Sequence, residues 1–226
     1  MASSFEAIVF DNDGLLLDTE EAWTRAETTL FERHGDTFTQ AHKRDLIGSS
    51  RARSAVKLER MLQLSGRGEA LMDELHELVM EEVVAGVPPR PGALELLQAV
   101  RAAGVPVGLA SNSSREFVDL ALSVAQLANG QFDVVVTADD VDAPKPAPDL
   151  YVAACAALYA APQRAAALED SPPGVAAARA AGMYVIAVPY FPDTPIEGAS
   201  LTASSLADPS VAAALGIALA DRGDGI

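Results

Sequence analysis

Short apolar runs recur along the chain at 7–10, 105–110, 132–137, 165–168 and 184–188, and polar or turn-forming residues follow them. They are short for helices and most contain Val or Ile, so they predict strands buried on both faces of a sheet. Segments with apolar residues three and four apart lie between them. Residues 91–103 open on Pro91, place Leu94, Leu97 and Val100 on one face and stop at Gly104, which predicts a helix. Ser113 with Glu116 predicts a capping box for a helix reaching Leu127. Residues 151–158 form an apolar helical run, and the alanine-rich stretch 174–181 ends at Gly182. Strands alternating with helices of this length predict an α/β fold built on a doubly wound, Rossmann-like parallel sheet.

One region breaks the alternation. Between Leu17 and Pro88 there is no strand signal, and three helical stripes follow one another: Trp23, Ala26, Leu30 and Phe31; Ala55, Leu58 and Leu62; Leu71, Leu75, Leu78 and Val79. These predict an α-helical domain at 18–88 inserted after the first strand, with 1–17 and 89–226 forming the sheet domain. The stiff linker 87–91, with three prolines, returns the chain to the sheet. From about Ala207 an alanine-rich helix is expected, with a polar Gly/Asp ending.

Composition narrows the function. Half of the 226 residues are hydrophobic, enough for a buried core. A formal net charge of −16 argues against nucleic-acid binding, which needs a basic footprint. Cys155 is the only cysteine, which excludes an intramolecular disulfide, and its apolar helical setting predicts a small core residue. The brief apolar run near the N-terminus has no basic region before it and is interrupted by Glu6 and Asp11, so no signal peptide is expected. No stretch approaches the roughly 20 apolar residues of a membrane span. The expectation is a cytoplasmic monomer that engages neither membrane nor nucleic acid.

The chemistry gathers at strand ends. In a parallel sheet the carboxyl ends of the strands share one edge, where open α/β sheets bind ligands. The first strand delivers Asp11 and Asp13 in Asp11-Asn12-Asp13-Gly14, and the second delivers Ser111 and Asn112. The third is followed by Lys145, within Lys145-Pro146-Ala147-Pro148-Asp149, and the fourth delivers Glu169, Asp170 and Ser171. Four carboxylates and one lysine in a small site call for a bound cation, and all-oxygen ligands favour Mg²⁺ over zinc. His34, His42 and His76 lack metal-ligand spacing. Asp139 and Asp140 read as a solvated turn, and Arg90 and Arg115 as surface or capping residues. There is no Walker-A loop, no G-x-G-x-x-G and no G-x-S-x-G, so kinase, dehydrogenase and serine hydrolase readings lack support.

The order D-x-D-G, S-N, K-P-A-P-D, E-D-S resembles the four motifs of the haloacid dehalogenase superfamily of phosphotransferases. The helical insertion is similar to the cap of the subfamily that holds β-phosphoglucomutase and small sugar phosphatases. The resemblance implies that Asp11 is the nucleophile, forming an aspartyl phosphate, and that Asp13 is the general acid and then the base. It implies Mg²⁺ held by Asp11, Asp170 and the Asp13 backbone carbonyl, with Glu169 as a further ligand, direct or through water. It places Lys145, Ser111 and the backbone N–H of Asn112 on the phosphoryl oxygens. Asn12 receives no role. Dehalogenases lack the second Asp, so haloacid substrates are not expected.

The acceptor is less plainly written. Mutase caps of this subfamily carry a His early in the first cap helix; here Asp18-Thr19-Glu20-Glu21-Ala22 leads to Trp23, which is similar to hexose-phosphate phosphatases. Gly48-Ser49-Ser50-Arg51 is similar to the mutase segment whose Arg holds a second phosphate. The expectation is a phosphatase acting on a small phosphorylated metabolite, a sugar or polyol phosphate, with Trp23 and Arg51 as substrate contacts. The alternative is a β-phosphoglucomutase-type phosphomutase, and a catalytically idle binding protein is a third reading.

Overall fold

The computed structural model describes residues 5–128 and 130–219. Among them six strands form one parallel sheet in the order β3-β2-β1-β4-β5-β6: β1 Ala7–Phe10, β2 Val107–Ala110, β3 Val134–Val136, β4 Ala165–Glu169, β5 Tyr184–Ala187 and β6 Leu201–Thr202. Alternation along β1 sends Ile8 and Phe10 to one face and Ala7 and Val9 to the other. On the Phe10 face lie the helices α5 Ala93–Ala102, α6 Arg115–Val124 and α9 Pro209–Leu215; on the Val9 face lie α7 Asp149–Ala157 and α8 Pro172–Ala180. The sheet is therefore doubly wound. Strand order reverses at β1, between β2 and β4, so a crevice opens at the carboxyl end of β1.

Between β1 and α5 the chain forms four helices: α1 Thr19–Arg33, α2 Gln40–Leu46, α3 Arg51–Leu62 and α4 Gly68–Val84. The predicted stripes are their buried faces, with α1 and α3 packing against α4. The two connecting segments are bridged antiparallel at Leu17 and Pro89: the N–H of Asp18 donates to the Pro88 carbonyl (2.8 Å) and that of Arg90 to the Leu16 carbonyl (2.9 Å). This pairing ties both ends of the insertion to one point above β1. The insertion also reaches the sheet domain through Trp23, whose ring centroid lies 5.3 Å from that of Phe117, and through Arg44, which binds both oxygens of Asp193 at 3.0 Å.

Three local expectations change. The α6 cap is Ser114, whose Oγ accepts from the Phe117 N–H, because Ser113 turns its hydroxyl to Asp13; the helix ends at Val124, short of Leu127. Helix α5 begins at Ala93, not at Pro91, because Gly92 adopts φ +83° and lies against the backbone of Ala207, where a Cβ would collide. Helix α8 begins two residues before Gly174, at Pro172, with Ser171 as its cap. Strand β6 had no sequence signal, having only two residues. The expected C-terminal helix is α9, and the polar ending at 220–226 lies outside the described residues.

Candidate active site

Strand β1 ends in a turn: the Asn12 carbonyl accepts from the N–H groups of Leu16 and Leu17, and Gly14 donates to Leu17. Gly14 sits at φ +78°, and a Cβ there would collide with the Asp170 carboxylate. So the glycine of the D-x-D-G motif is required twice, by backbone angle and by space.

Asp11 is buried, with Oδ1 2.5 Å from the Lys145 ammonium. The same ammonium contacts Glu169 Oε1 at 2.6 Å and the Ala110 carbonyl at 2.9 Å. Glu169 also accepts from the Tyr151 hydroxyl on Oε1, and from the Asp170 N–H and Ser171 hydroxyl on Oε2. Burial pushes the Asp11 carboxyl well above the usual carboxylate range; Lys145 opposes this, while Glu169 and Asp13 add to it. Burial acts the same way on Asp170, reinforced by Asp11 and Glu169. For Lys145 burial favours the neutral amine, but the two carboxylates outweigh it and hold the ammonium charged.

Asp11, Glu169 and Asp170 each offer an oxygen within 4.8 Å of the others, a spacing a hard cation can bridge. Asp11 Oδ2 and Asp170 Oδ2 are buried with no hydrogen-bond partner, whereas all four bonds of Glu169 are made within the protein. Two close buried carboxyls, each with an unpartnered oxygen, fit a divalent cation. Glu169 fits better as the group that positions Lys145 and the Asp170 loop.

Asp13 is fixed by hydroxyls. Its Oδ2 accepts from Ser111 (2.8 Å) and Ser113 (2.9 Å), and its Oδ1 from Thr19 (2.8 Å) and the Asn12 amide (3.2 Å). The Asn112 side chain donates to the carbonyls of Lys145 and of Gly48 in the insertion, and accepts from the Lys145 N–H. Ser111 is fully buried on Asp13, while Asn112 and Ser113 line the neighbouring cavity.

A carboxylate at the end of β1, a second one two residues on, and a lysine and an acidic pair from the next loops form a recognisable set. The family model of haloacid dehalogenase-like hydrolases matches residues 8–188. The chain belongs to this family. It is 33% identical over 192 residues to validoxylamine A 7'-phosphate phosphatase of Streptomyces hygroscopicus subsp. limoneus, covering 80% of this chain and 84% of that protein. It is also similar to the structure of a CbbY mutant from Rhodobacter sphaeroides in complex with xylulose-(1,5)bisphosphate, at 30% identity and TM-score 0.79, over 93% of this chain and 99% of that one. A β-phosphoglucomutase from Clostridium difficile, 22% identical, shares the fold with TM-score 0.76 over 89% of this chain and 92% of that one.

In this hydrolase a cavity of about 130 Å³ lies between the sheet edge and the insertion, lined by Asp11, Asp13, Lys145 and Asp170 below and by Trp23 and Arg51 above. Trp23 packs on Phe117. The Arg51 guanidinium is shared between Glu69 (3.2 Å) and Asp73 (2.6 Å) at the exposed rim. Sequence reasoning missed a further group on this wall. Lys43 is buried between Glu20 Oε2 (2.5 Å) and Glu27 Oε2 (3.1 Å), and all three line the cavity. A signal was there: Glu20, Trp23, Glu27 and Phe31 follow at intervals of three and four, so both glutamates ride the same helix face as the aromatics. Asn12, given no role, is fully buried and braces Asp13.

The remaining expectations can be placed. Cys155 is a buried free thiol, pushed up to about 11 by burial. The histidines make local contacts: His34 with Glu74, His42 with the backbone of Thr39, His76 with Glu116. Arg115 binds Asp140 and the Val135 carbonyl. Among the described residues no helix is long and apolar enough to cross a membrane.

Proposed function

We propose that this hydrolase is a Mg²⁺-dependent phosphatase of a small sugar or polyol phosphate, working through an aspartyl phosphate on Asp11, with residues 18–88 acting as its cap. The observation that carries this reading is the asymmetry of Asp11. One oxygen is held by Lys145, and the other is unpartnered on a residue that lines the cavity. A carboxylate held on one side and free on the other is a nucleophile with a defined direction.

Asp11 Oδ2 forms a bond to phosphorus as the bond from phosphorus to the leaving oxygen breaks, and Asp13 gives that oxygen its proton. Asp13 then takes a proton from water, whose oxygen attacks phosphorus and releases Asp11 as carboxylate and inorganic phosphate. Ser111, Ser113, Thr19 and Asn12 keep Asp13 aimed through both halves. Lys145 opposes the burial that favours the protonated Asp11 carboxyl. Mg²⁺ held by Asp170 and by the Asp11 oxygen that does not attack would neutralise phosphoryl oxygen charge as the reaction proceeds. Glu169, with its bonds already made, positions Lys145 and Asp170. Asn112, bonded to Gly48, registers the cap against the phosphoryl site.

Water is the acceptor in this reading because Trp23 stands where mutase caps carry a His, and indole neither takes nor gives a proton. Incubation of hexose 6-phosphate with enzyme and Mg²⁺, followed by ³¹P NMR, should show stoichiometric inorganic phosphate without a bisphosphate primer. Rapid isomerisation of a hexose 1-phosphate with negligible phosphate release would establish the mutase instead.

A further inference from the structure

The cavity wall opposite the nucleophile carries its own charge pattern. Lys43, Glu20 and Glu27 are each at least nine-tenths buried, yet all three line the cavity. An ammonium has three donors, and the two glutamates occupy two of them, leaving one free. The two carboxylates keep spare acceptor lone pairs. A wall with both donors and acceptors, beside the apolar faces of Trp23, Met72 and Leu75, matches a carbon chain that bears hydroxyls.

The same wall is unfavourable for a second phosphate. Lys43 is outnumbered two to one by Glu20 and Glu27, and Arg51 is outnumbered two to one by Glu69 and Asp73. His76, the other basic group on that wall among the described residues, faces Glu116 at 3.4 Å. Each cation that could attract a second dianion lies in a locally neutral or negative setting. Lys145, the other lysine lining the cavity, is likewise shared between two carboxylates, Asp11 and Glu169, and belongs to the nucleophile.

We propose that Lys43, with Glu20 and Glu27, is the specificity-determining group of this site, reading hydroxyls on a neutral carbon skeleton, and that the substrate carries a single phosphoryl group. This rests on the phosphatase reading above and narrows it to monophosphates. A second phosphate meets the surplus carboxylates around Lys43 and Arg51, like charge that should cost on the order of 100-fold in selectivity.

Phosphate release by the Mg²⁺-loaded enzyme tests it with acetyl phosphate, a panel of hexose and pentose monophosphates, the matching bisphosphates, and monodeoxy analogues of the best substrate. The best monophosphate should exceed its bisphosphate in kcat/KM by about 100-fold. Removing one hydroxyl should cost about tenfold or more at one or more positions. At pH 8, above the value of about 7 to which burial raises Glu27, Glu27→Gln relieves one negative charge without changing shape and should lower the preference for monophosphate over bisphosphate by about tenfold. The exposed pair Glu69→Gln with Asp73→Asn should raise bisphosphate kcat/KM by roughly three- to tenfold, because it frees Arg51 without touching the core. A bisphosphate used as well as its monophosphate, or deoxy analogues all within twofold of the parent, would overturn the inference while hydrolysis of acetyl phosphate left the phosphatase reading standing. No turnover of acetyl phosphate would remove the phosphatase reading, and this inference with it.

Discussion

One lysine between two carboxylates occurs twice in this hydrolase, and the two clusters differ in what they leave unfinished. In the sheet domain Lys145 sits between Asp11 and Glu169, and the orphaned oxygens of Asp11 and Asp170 lie beside it. In the insertion Lys43 sits between Glu20 and Glu27, and no buried oxygen of either glutamate lacks a partner. The first cluster has more carboxylate oxygens than its own donors satisfy, which is what the proposed cation and phosphoryl chemistry require. The second has its charges paired but keeps one ammonium donor and spare carboxylate lone pairs at the cavity, which suits a wall that reads hydroxyls. The residue types are alike; where the unused hydrogen-bonding capacity lies separates the proposed reactive group from the proposed recognition group.

The sharpest break in that comparison comes from Asp11→Asn. An amide keeps the shape but is a poor nucleophile, so turnover should fall by roughly 10⁴-fold or more while thermal unfolding stays cooperative. Phosphate release near the wild-type rate from folded protein would deprive the Lys145 cluster of its chemical role.

Next in size is the insertion cluster's dependence on its one cation. Lys43→Met leaves two buried carboxylates without a partner, and breaking a buried ion pair in this way costs about 3–5 kcal/mol. Urea unfolding at neutral pH measures it. A loss below about 1 kcal/mol would mean that Lys43 is no keystone of the wall.

How far these clusters could be read from sequence differs for a physical reason. The Lys145 cluster is assembled from strand ends, and the topology of a parallel sheet brings strand ends to one edge, so Asp11, Asp13, Lys145 and Asp170 were legible from order alone. The five longer strands were legible because each is an apolar run bounded by turns. The Lys43 cluster joins two helices of the insertion, and helix-to-helix register is set by packing that no single-chain pattern encodes. Periodicity counts also treat charges as solvated, which hides a glutamate on an apolar stripe. Ser113 was misread because a capping box is a local pattern, and the neighbouring carboxylate of Asp13 competes for its hydroxyl.

The cation itself should distinguish the clusters. Mg²⁺ at about one hundred times its dissociation constant should stabilise the wild-type fold by roughly 2.7 kcal/mol, read as a rise in Tm. Asp170→Ala should abolish that rise, and Glu27→Gln should keep it. Mg²⁺ stabilisation that survives in Asp170→Ala would move the metal away from the orphaned oxygens. Ca²⁺ should support turnover poorly even where it binds, because its longer and looser coordination displaces the nucleophile from phosphorus.

The smallest effect is a matter of sign, and it tests whether the insertion cluster has one cation too few. Burial raises Glu27 from the ordinary 4.5 to about 7; Lys43 opposes the shift and Glu20 reinforces it. Lys43 is itself raised from 10.5 to about 12, its burial outweighed by Glu20 and Glu27. The two shifts are compatible because two glutamates compete for one ammonium: Lys43 gains from both, and Glu27 receives only a share. Between pH 4.5 and about 7 the folded state then holds a proton on Glu27 that the unfolded chain has released. Stability from this group is therefore fully present below pH 4.5 and declines as pH rises through 7, with a slope of up to about 1.4 kcal/mol per pH unit. The Lys43 contribution is held below pH 10.5 and lost only as pH rises through about 12. Glu27→Gln removes the acid-side slope and leaves the alkaline one. The difference in unfolding free energy between wild type and Glu27→Gln, followed by urea titration from pH 4 to 8, should thus shift against the wild type by on the order of 1–3 kcal/mol. A difference that is flat with pH, or that shifts in favour of the wild type, would show that Glu27 is fully paired and that the wall carries no surplus of negative charge.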